Sequence, residues 1–176
     1  NRPEGAGSSS TAAALILASA ACMTGNDLAK MRQLPDTTGM KSEVIIQMGT
    51  RYSYDRCMEV PGAKFVEAGS PSKTISSDIE KAITNKTAAI LYGMSASREK
   101  DVVPLEEVIR IAKKHGVPVI VDAAAEVYPL ENFKKFVAMG ADLVAFGGKY
   151  WGAPQASGIL LGRKDLVQSA VRQGYI

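Results

Sequence analysis

The sequence has few of the side chains that build metal centres and hydrolase triads. Its 176 residues include one histidine, His115, and two cysteines, Cys22 and Cys57, without a C-x-x-C spacing. A structural zinc site takes about four Cys or His ligands, and a Ser-His-Asp hydrolase needs a positioned histidine. The composition therefore gives no basis for either kind of site and favours a reduced, cytoplasmic protein.

Strong charge of one sign and long apolar runs are also missing. The formal net charge is +3, from 21 Lys and Arg against 18 Asp and Glu. The sequence has no run of basic residues of the kind that binds a phosphate backbone, so nucleic acid is not an expected partner. The apolar run Thr11–Met23 is shorter than the roughly 20 residues that span a bilayer. It predicts a buried helix, and no membrane association is expected.

Nucleotide-binding motifs are absent as well. Gly148 and Lys149 are followed by Tyr150, where a phosphate-binding loop has Ser or Thr. Leu143 stands at the position of that motif's first glycine, and no G-x-G-x-x-G follows a predicted strand.

Short apolar runs alternate with amphipathic stretches through most of the chain, which predicts an α/β fold, a three-layer sandwich with a mostly parallel sheet. The predicted strands are Glu43–Met48, Lys64–Glu67, Thr87–Tyr92, Val117–Asp122, Asp142–Phe146 and Gly158–Gly162. The predicted helices are Thr11–Thr24, Tyr54–Val60, Ser77–Thr84, Pro104–His115, Leu130–Met139 and Lys164–Gln173. We expect an irregular loop over Thr24–Ser42 and a flexible or spliced lead over residues 1–7.

An acid and a lysine follow two of the predicted strands. Asp122 closes one apolar run, and Lys149 follows the next in a glycine-flanked turn. Pyridoxal phosphate needs a carboxylate that keeps its pyridine nitrogen protonated and a lysine that forms a Schiff base. Ligands of parallel sheets bind at the carboxyl ends of strands, where both residues fall. A helix cap or turn role for Asp122 and a solvated surface position for Lys149 are the alternatives.

Further features fit the same cofactor. The small residues Ala123, Ala124 and Ala125 after Asp122 would let a flat ring approach the backbone. Lys149 lies in an otherwise apolar stretch, so we expect partial burial and a lowered pKa. Hydroxyl residues at the start of the first long helix would suit a phosphate, although an N-cap is the alternative; they are Ser9, Ser10 and Thr11.

Several segments together resemble a known family. They are Val-Asp-Ala-Ala-Ala-Glu, Gly-Ala-Asp-Leu-Val-Ala-Phe-Gly-Gly-Lys and Gly-Ala-Pro-Gln-Ala-Ser-Gly-Ile-Leu-Leu-Gly-Arg, with Leu34–Gly39 and Glu43–Gln47 upstream. These segments are similar to the fold-type I pyridoxal phosphate enzymes. Within them, they resemble the group of the L-seryl-tRNA(Sec) selenium transferases and the D-glucosaminate-6-phosphate ammonia lyases.

The resemblance implies the aspartate aminotransferase-like fold, a homodimer, and a cofactor-binding large domain over residues 8–176, with a small C-terminal domain outside this chain. It implies that Lys149 is the Schiff-base lysine and that Asp122 pairs with the pyridine nitrogen. The further cofactor-binding residues that it implies are Ser9, Ser10, Thr11, Ala124 and Gly148. Arg51 and Gln155 could contact cofactor or substrate, and a structural loop role is the alternative for Gln155.

Two positions depart from the family pattern. Phe146 stands three residues before the lysine, where the family has a hydroxyl residue available to the phosphate. Thr50 stands before the basic position, where a histidine is common. Both departures would weaken cofactor binding, through the loss of a phosphate hydroxyl and of a ring-facing histidine.

The expected function is a lyase that removes ammonia or a β-leaving group from an amino acid or amino-sugar acid, with Lys149 as the general base. The modest charge favours such a small substrate over charged tRNA, which a selenium transferase would use. An aminotransferase uses the same cofactor chemistry, and a non-catalytic scaffold is the remaining alternative. Fold analogy does not decide among these reactions.

Overall fold

Seven strands and six α-helices make up the described part of the chain, residues 4–97 and 100–174 of a computed structural model. The strands are β1 Glu4–Ser8, β2 Glu43–Gln47, β3 Lys64–Ala68, β4 Thr87–Gly93, β5 Val119–Asp122, β6 Leu143–Gly147 and β7 Gly158–Gly162. The α-helices are α1 Thr11–Thr24, α2 Leu28–Gln33, α3 Ser76–Ala82, α4 Leu105–His115, α5 Asn132–Met139 and α6 Lys164–Gln173. Short 3-10 helices cover Met48–Thr50, Asp55–Glu59 and Gly148–Trp151.

All strands belong to one sheet, in the order β1-β7-β6-β5-β4-β2-β3. Strands β2 to β6 pair in parallel, and β7 is antiparallel to both of its neighbours, β1 and β6. The carboxyl ends of β1, β2, β4, β5 and β6 therefore lie along one edge of the sheet. This confirms the mostly parallel α/β sheet that the alternating pattern predicts.

The helices cover both faces of the sheet and complete the three layers. On one face, α1 and α6 pack against the strands through residues such as Leu15 and Leu166. On the other face, α3, α4 and α5 pack through residues such as Ile79, Val108 and Phe136. Because both faces are covered, the central strands β5 and β6 are apolar apart from Asp122 at the end of β5.

Alternation along the strands decides which side chains reach each face. In β5, Ile120 joins the core beside α1, and Val121 joins the core beside α4. Since successive side chains of a strand point to opposite faces, Asp122 points to the α1 face. By the same alternation in β6, Ala145 and Gly147 lie on the α1 face and Phe146 on the other.

Phe146 is therefore a core residue and does not face the α1 side of the sheet. Its side chain is 0% exposed, and its ring centroid lies 4.6 Å from that of Phe133 and 6.3 Å from that of Phe136. Packing in an aromatic cluster with these two residues of α5 thus accounts for the phenylalanine at this position.

Helix α1 follows the prediction closely. Ser10 precedes it, and the Ser10 hydroxyl accepts a hydrogen bond from the backbone N–H of Ala13 at 3.0 Å. The helix is rich in alanine and is buried against the sheet, α6 and the 3-10 helix Asp55–Glu59. Small side chains let these elements approach closely, which explains the continuous apolar run.

Three expectations about local structure are wrong. Glu4–Gly7, expected to lie in a flexible lead, belong to β1, whose pairing with β7 is invisible in a glycine-rich segment of low strand propensity. The expected loop Thr24–Ser42 contains α2, which is too short to show periodicity and is capped by Asp27. The helix expected over Tyr54–Val60 is the 3-10 helix Asp55–Glu59.

Other boundaries differ by one or two residues. Pro104 is the N-cap of α4 and not its first residue, and Gly116 ends the helix in the left-handed conformation at φ 66°. Residues 1–3, 98–99 and 175–176 lie outside the described residues. No helix in the described ranges has the length and apolar character needed to cross a membrane.

The aromatic cluster gives a stability prediction. Replacing Phe146 by Ala should lower the free energy of unfolding by about 3–5 kcal/mol, because it opens a cavity in the core. The measurement is chemical denaturation of the full-length protein. Leu130→Ala is the control, because Leu130 is 57% exposed and its truncation should change stability by about 0.5 kcal/mol at most. Equal effects of the two substitutions would contradict the placement of Phe146 in the core.

Candidate active site

The carboxyl ends of β5 and β6 meet the N-terminus of α1 around one cavity. Its volume is about 430 Å³. Two residues of opposite charge, Asp122 and Lys149, line it together with the start of α1. The complete lining is Ser10, Thr11, Ala12, Leu15, Tyr54, Asp122, Ala124, Gly147, Lys149, Tyr150, Gln155 and Ser157.

Asp122 is a buried carboxylate with a hydrogen bond at each oxygen. Its side chain is held by the Ala124 backbone N–H, which donates to Oδ1 at 3.1 Å, and by the Tyr52 hydroxyl, which donates to Oδ2 at 2.5 Å. The residue is 8% exposed. Burial raises the pKa of Asp122 above its usual value, although both hydrogen bonds act in the opposite direction. A cationic N–H partner would offset the free-energy cost of burying the charged carboxylate.

The start of α1 forms the second wall of the cavity. The first backbone N–H groups of a helix have no acceptor within the helix and carry a partial positive charge, which suits a phosphate. Ser10 and Thr11 line the cavity at this point. Ser10 is the N-cap, and its hydroxyl can still donate to a ligand. Ser9 is exposed and lies outside the lining.

Two glycines allow the close approach of these elements. A Cβ on Gly147 would lie 2.9 Å from Thr11 Oγ1 and 3.1 Å from the carbonyl oxygen of Ala124. A Cβ on Gly158 would lie 2.6 Å from the carbonyl carbon of Ser10. Any side chain at these positions would push α1 away from the strand ends.

Lys149 follows β6 in the 3-10 helix Gly148–Trp151. Its Nζ lies 5.0 Å from the centroid of the Tyr150 ring. We expected partial burial from the apolar sequence, but Lys149 is exposed in this chain. Since β6 ends at Gly147, the lysine lies past the edge of the sheet, where the helices no longer cover it. Gly148, predicted to bind the cofactor, is buried and is not part of the cavity lining. Its N–H donates to the Ser157 carbonyl at 2.9 Å.

Arg51 and Thr50 lie apart from the cavity lining. The guanidinium of Arg51 binds Asp55 at 2.6 Å and Glu67 at 2.5 Å and lies 4.5 Å from the centroid of the Phe65 ring. Thr50 is buried and donates to the Gln47 carbonyl at 2.8 Å. Gln155, the other residue predicted to contact substrate, does line the cavity.

Sequence reasoning missed several residues of the site. Tyr52 contacts Asp122 from a segment 70 residues earlier, and no local motif marks that pair. Tyr54 and Ser157 line the cavity. The one sequence feature that could have indicated them is their place in the chain. The segment after β2 and the start of β7 lie at the same sheet edge as Asp122.

The residues present fit pyridoxal phosphate. Asp122 can accept from a ring nitrogen, Lys149 can bind an aldehyde, and the start of α1 can hold a phosphate. Ala124 and Gly147 leave room beside the strand ends for a flat ring. Within residues 4–97 and 100–174, no group of three or more His, Cys, Asp or Glu side chains is arranged to hold a metal ion.

Comparison with protein families points in the same direction. The family model described as L-seryl-tRNA selenium transferase matches residues 9–174. A 5'-C-glycyluridine monooxygenase-decarboxylase of a Streptomyces species is 39% identical over 172 residues, covering 93% of this chain and 42% of that protein. The D-glucosaminate-6-phosphate ammonia lyase of Salmonella typhimurium is 34% identical over 171 residues, covering 94% of this chain and 45% of the lyase.

Solved structures confirm the fold. A structure of D-glucosaminate-6-phosphate ammonia-lyase superposes with a TM-score of 0.89 at 32% identity, covering 96% of this chain and 46% of that one. An aspartate aminotransferase of Thermus thermophilus, at 18% identity, gives a TM-score of 0.66 over 97% of this chain and 44% of that one. The aspartate aminotransferase-like fold is thus confirmed, and the comparisons support pyridoxal phosphate as the cofactor. The chain spans less than half the length of these relatives.

The raised pKa of Asp122 predicts a pH-dependent stability of the cofactor-free protein. Folding favours the protonated carboxyl, so stability should fall as the pH rises above the ordinary Asp value of 3.8 and through the raised folded value. Asp122→Asn removes this loss, and its advantage over the wild type in free energy of unfolding should therefore grow across that range. The measurement is denaturant unfolding at a series of pH values.

Asp36→Asn is the control with the opposite sign. Thr38 donates hydrogen bonds to the exposed Asp36 carboxylate and lowers its pKa. Its contribution to stability is present above the ordinary pKa and is lost as the pH falls through the lowered value. Asp36→Asn should therefore cost stability at neutral pH and have little effect in strong acid. An advantage of Asp122→Asn that is constant with pH would contradict the assignment.

Proposed function

The chain belongs to the L-seryl-tRNA selenium transferase family, and from that premise we propose that its protein binds pyridoxal phosphate through Lys149 and acts as a lyase. The substrate would be an amino acid or amino-sugar acid that loses ammonia or a β-leaving group. One observation carries this proposal: Lys149, Asp122 and the N-terminus of α1 line a single cavity. The activity is proposed for the protein that contains this chain, since its relatives are more than twice as long.

Each of these groups has a distinct role. Asp122 would accept a hydrogen bond from the pyridine nitrogen and keep that nitrogen protonated. Ser10, Thr11 and the start of α1 would bind the phosphate. Lys149 would hold the aldehyde end, and its amine is the group that would remove the proton from the substrate Cα. When bound, the cofactor supplies an electron sink for the charge left on that carbon.

The charges around the cavity support a small polar substrate. Among the described lining residues, Lys149 is the one cation, while Gln155, Tyr54 and Tyr150 offer neutral hydrogen-bonding groups. Arg51, a predicted substrate contact, is already bound to Asp55 and Glu67. No second cation for a substrate carboxylate lies in the described part of the lining.

The exposed aromatic residues beside the site support an interface. Tyr54, Tyr150 and Trp151 are 68%, 44% and 39% exposed, and Tyr54 and Tyr150 line the cavity. Tyr and Trp are enriched at protein–protein interfaces relative to the rest of the surface. We therefore keep the homodimer as a prediction. The cytoplasmic location, which these residues do not bear on, also stays a prediction.

The alternatives receive different support. A decarboxylating oxygenase is the second candidate, because the 39% identical relative is named a monooxygenase-decarboxylase. In such a reaction the bond from Cα to the carboxylate would break. A selenium transferase would need a surface for charged tRNA, and the sequence has no basic run. The scaffold hypothesis loses its main support, because Phe146 and Thr50 lie outside the cavity lining.

The first experiment tests cofactor binding. The full-length protein should show the long-wavelength absorbance of pyridoxal phosphate bound to a lysine, and Lys149→Ala should lose it. Lys134→Ala is the control, because Lys134 lies exposed on α5 and should leave the absorbance unchanged. A wild-type protein without the band, or a Lys149→Ala protein that keeps it, would rule out the assignment.

The second experiment separates the reactions. The holoprotein is incubated with amino acids and amino-sugar acids while ammonia, carbon dioxide and dissolved oxygen are followed. A lyase should release ammonia with a keto acid and consume no oxygen. Oxygen uptake with release of carbon dioxide would instead establish the oxygenase, and formation of a new amino acid from an added keto acid would establish an aminotransferase.

A further inference from the structure

The Tyr52 hydroxyl donates to Asp122 Oδ2 at 2.5 Å, and the roles described so far do not use it. We propose that Tyr52 is a positioning residue that fixes the Asp122 carboxylate as the acceptor for the cofactor's pyridine nitrogen and keeps the shared proton on that nitrogen. The inference rests on the proposed cofactor site and adds a residue outside the cavity lining.

The two hydrogen bonds of Asp122 fix the plane of its carboxylate. Ala124 N–H holds Oδ1 and the Tyr52 hydroxyl holds Oδ2, so the side chain cannot rotate without losing one of them. Each carboxylate oxygen can accept two hydrogen bonds. One acceptor position therefore remains on each oxygen for a ring N–H in the cavity.

Tyr52 is itself held in place by β4 and by the 3-10 helix Asp55–Glu59. Its ring packs on Gly93, where an added Cβ would lie 3.1 Å from the ring carbon Cε1. Its backbone N–H donates to Asp55 Oδ2 at 3.0 Å, and Asp55 is buried and bound to Arg51. Gly93 pairs with Asp122 across β4 and β5. The sheet register therefore sets the distance between the tyrosine and the carboxylate.

The position of Tyr52 leaves the cavity side of Asp122 open. The Tyr52 ring packs against Gly93 at the end of β4. The cavity lies toward β6 and α1 instead, and its lining includes Lys149, Gly147 and Thr11. If Tyr52 occupied the space for the cofactor ring, it would belong to the cavity lining, and it does not. The contact is thus compatible with a bound cofactor.

The chemical effect of this contact follows from its direction. A phenol that donates to a carboxylate stabilises the charged form of the acid. Burial favours the protonated acid, so without Tyr52 the proton shared with the pyridine nitrogen would move toward Asp122. Asp55 and Cys57 also face Tyr52, and burial together with Asp122 raises the pKa of the phenol. Tyr52 therefore stays protonated and remains a donor.

The test uses full-length holoprotein loaded with pyridoxal phosphate labelled with 15N in the ring. In Tyr52→Phe the pyridine nitrogen signal should move toward the unprotonated position, and the dissociation constant of the cofactor should rise about tenfold. Tyr128→Phe is the matched control, because Tyr128 is 62% exposed and should give wild-type values. A nitrogen signal in Tyr52→Phe identical to the wild type would overturn the inference.

A second variant guards against an effect of folding alone. Fluorotyrosine at position 52 keeps the ring and strengthens the donor, so its nitrogen signal should lie at the wild-type position or further toward the protonated one. A shift in the unprotonated direction would overturn the inference. Wild-type protein that binds no cofactor would overturn both the inference and the proposed function, whereas wild-type binding with an unaffected Tyr52→Phe signal would overturn the inference alone.

Discussion

The burial of one carboxylate at the end of β5 is the constraint on which the site depends. Asp122 lies at the sheet edge on the α1 face, and burial without a cationic partner favours its neutral form. A protonated ring nitrogen would offset the cost of burying the Asp122 carboxylate. The same burial that weakens the cofactor-free fold at neutral pH therefore favours a cationic ring over a neutral ligand.

The sheet topology brings the other groups to that carboxylate. Because β7 reverses direction, its start at Gly158 lies beside the ends of β1 and β6, and α1 begins directly above them. Gly147 and Gly158 keep these backbones close enough for the first amides of α1 to share a cavity with Asp122. The proposed phosphate-binding and ring-binding ends of the site thus both depend on the place where β1, β6, β7 and α1 meet.

Most of the fold is predictable from the sequence because the covered strands are continuous apolar runs and the helices show their own period. The Asp122 and Lys149 pair is predictable because both follow such runs. Strand β1 is not, since its glycines hide it, and Tyr52 is not, since its partner is 70 residues away. Phe146 shows a third limit: its identity suggested a lost phosphate contact, while strand alternation directs its ring to the opposite face.

The most direct test of the central claim is chemical trapping of the cofactor on its lysine. Full-length holoprotein is reduced with borohydride, digested and analysed by mass spectrometry for the residue that carries the pyridoxyl group. The account predicts the modification on the peptide that contains Gly148, Lys149 and Tyr150, at Lys149. Modification of a different lysine, or none on a protein that retains bound cofactor, would contradict it.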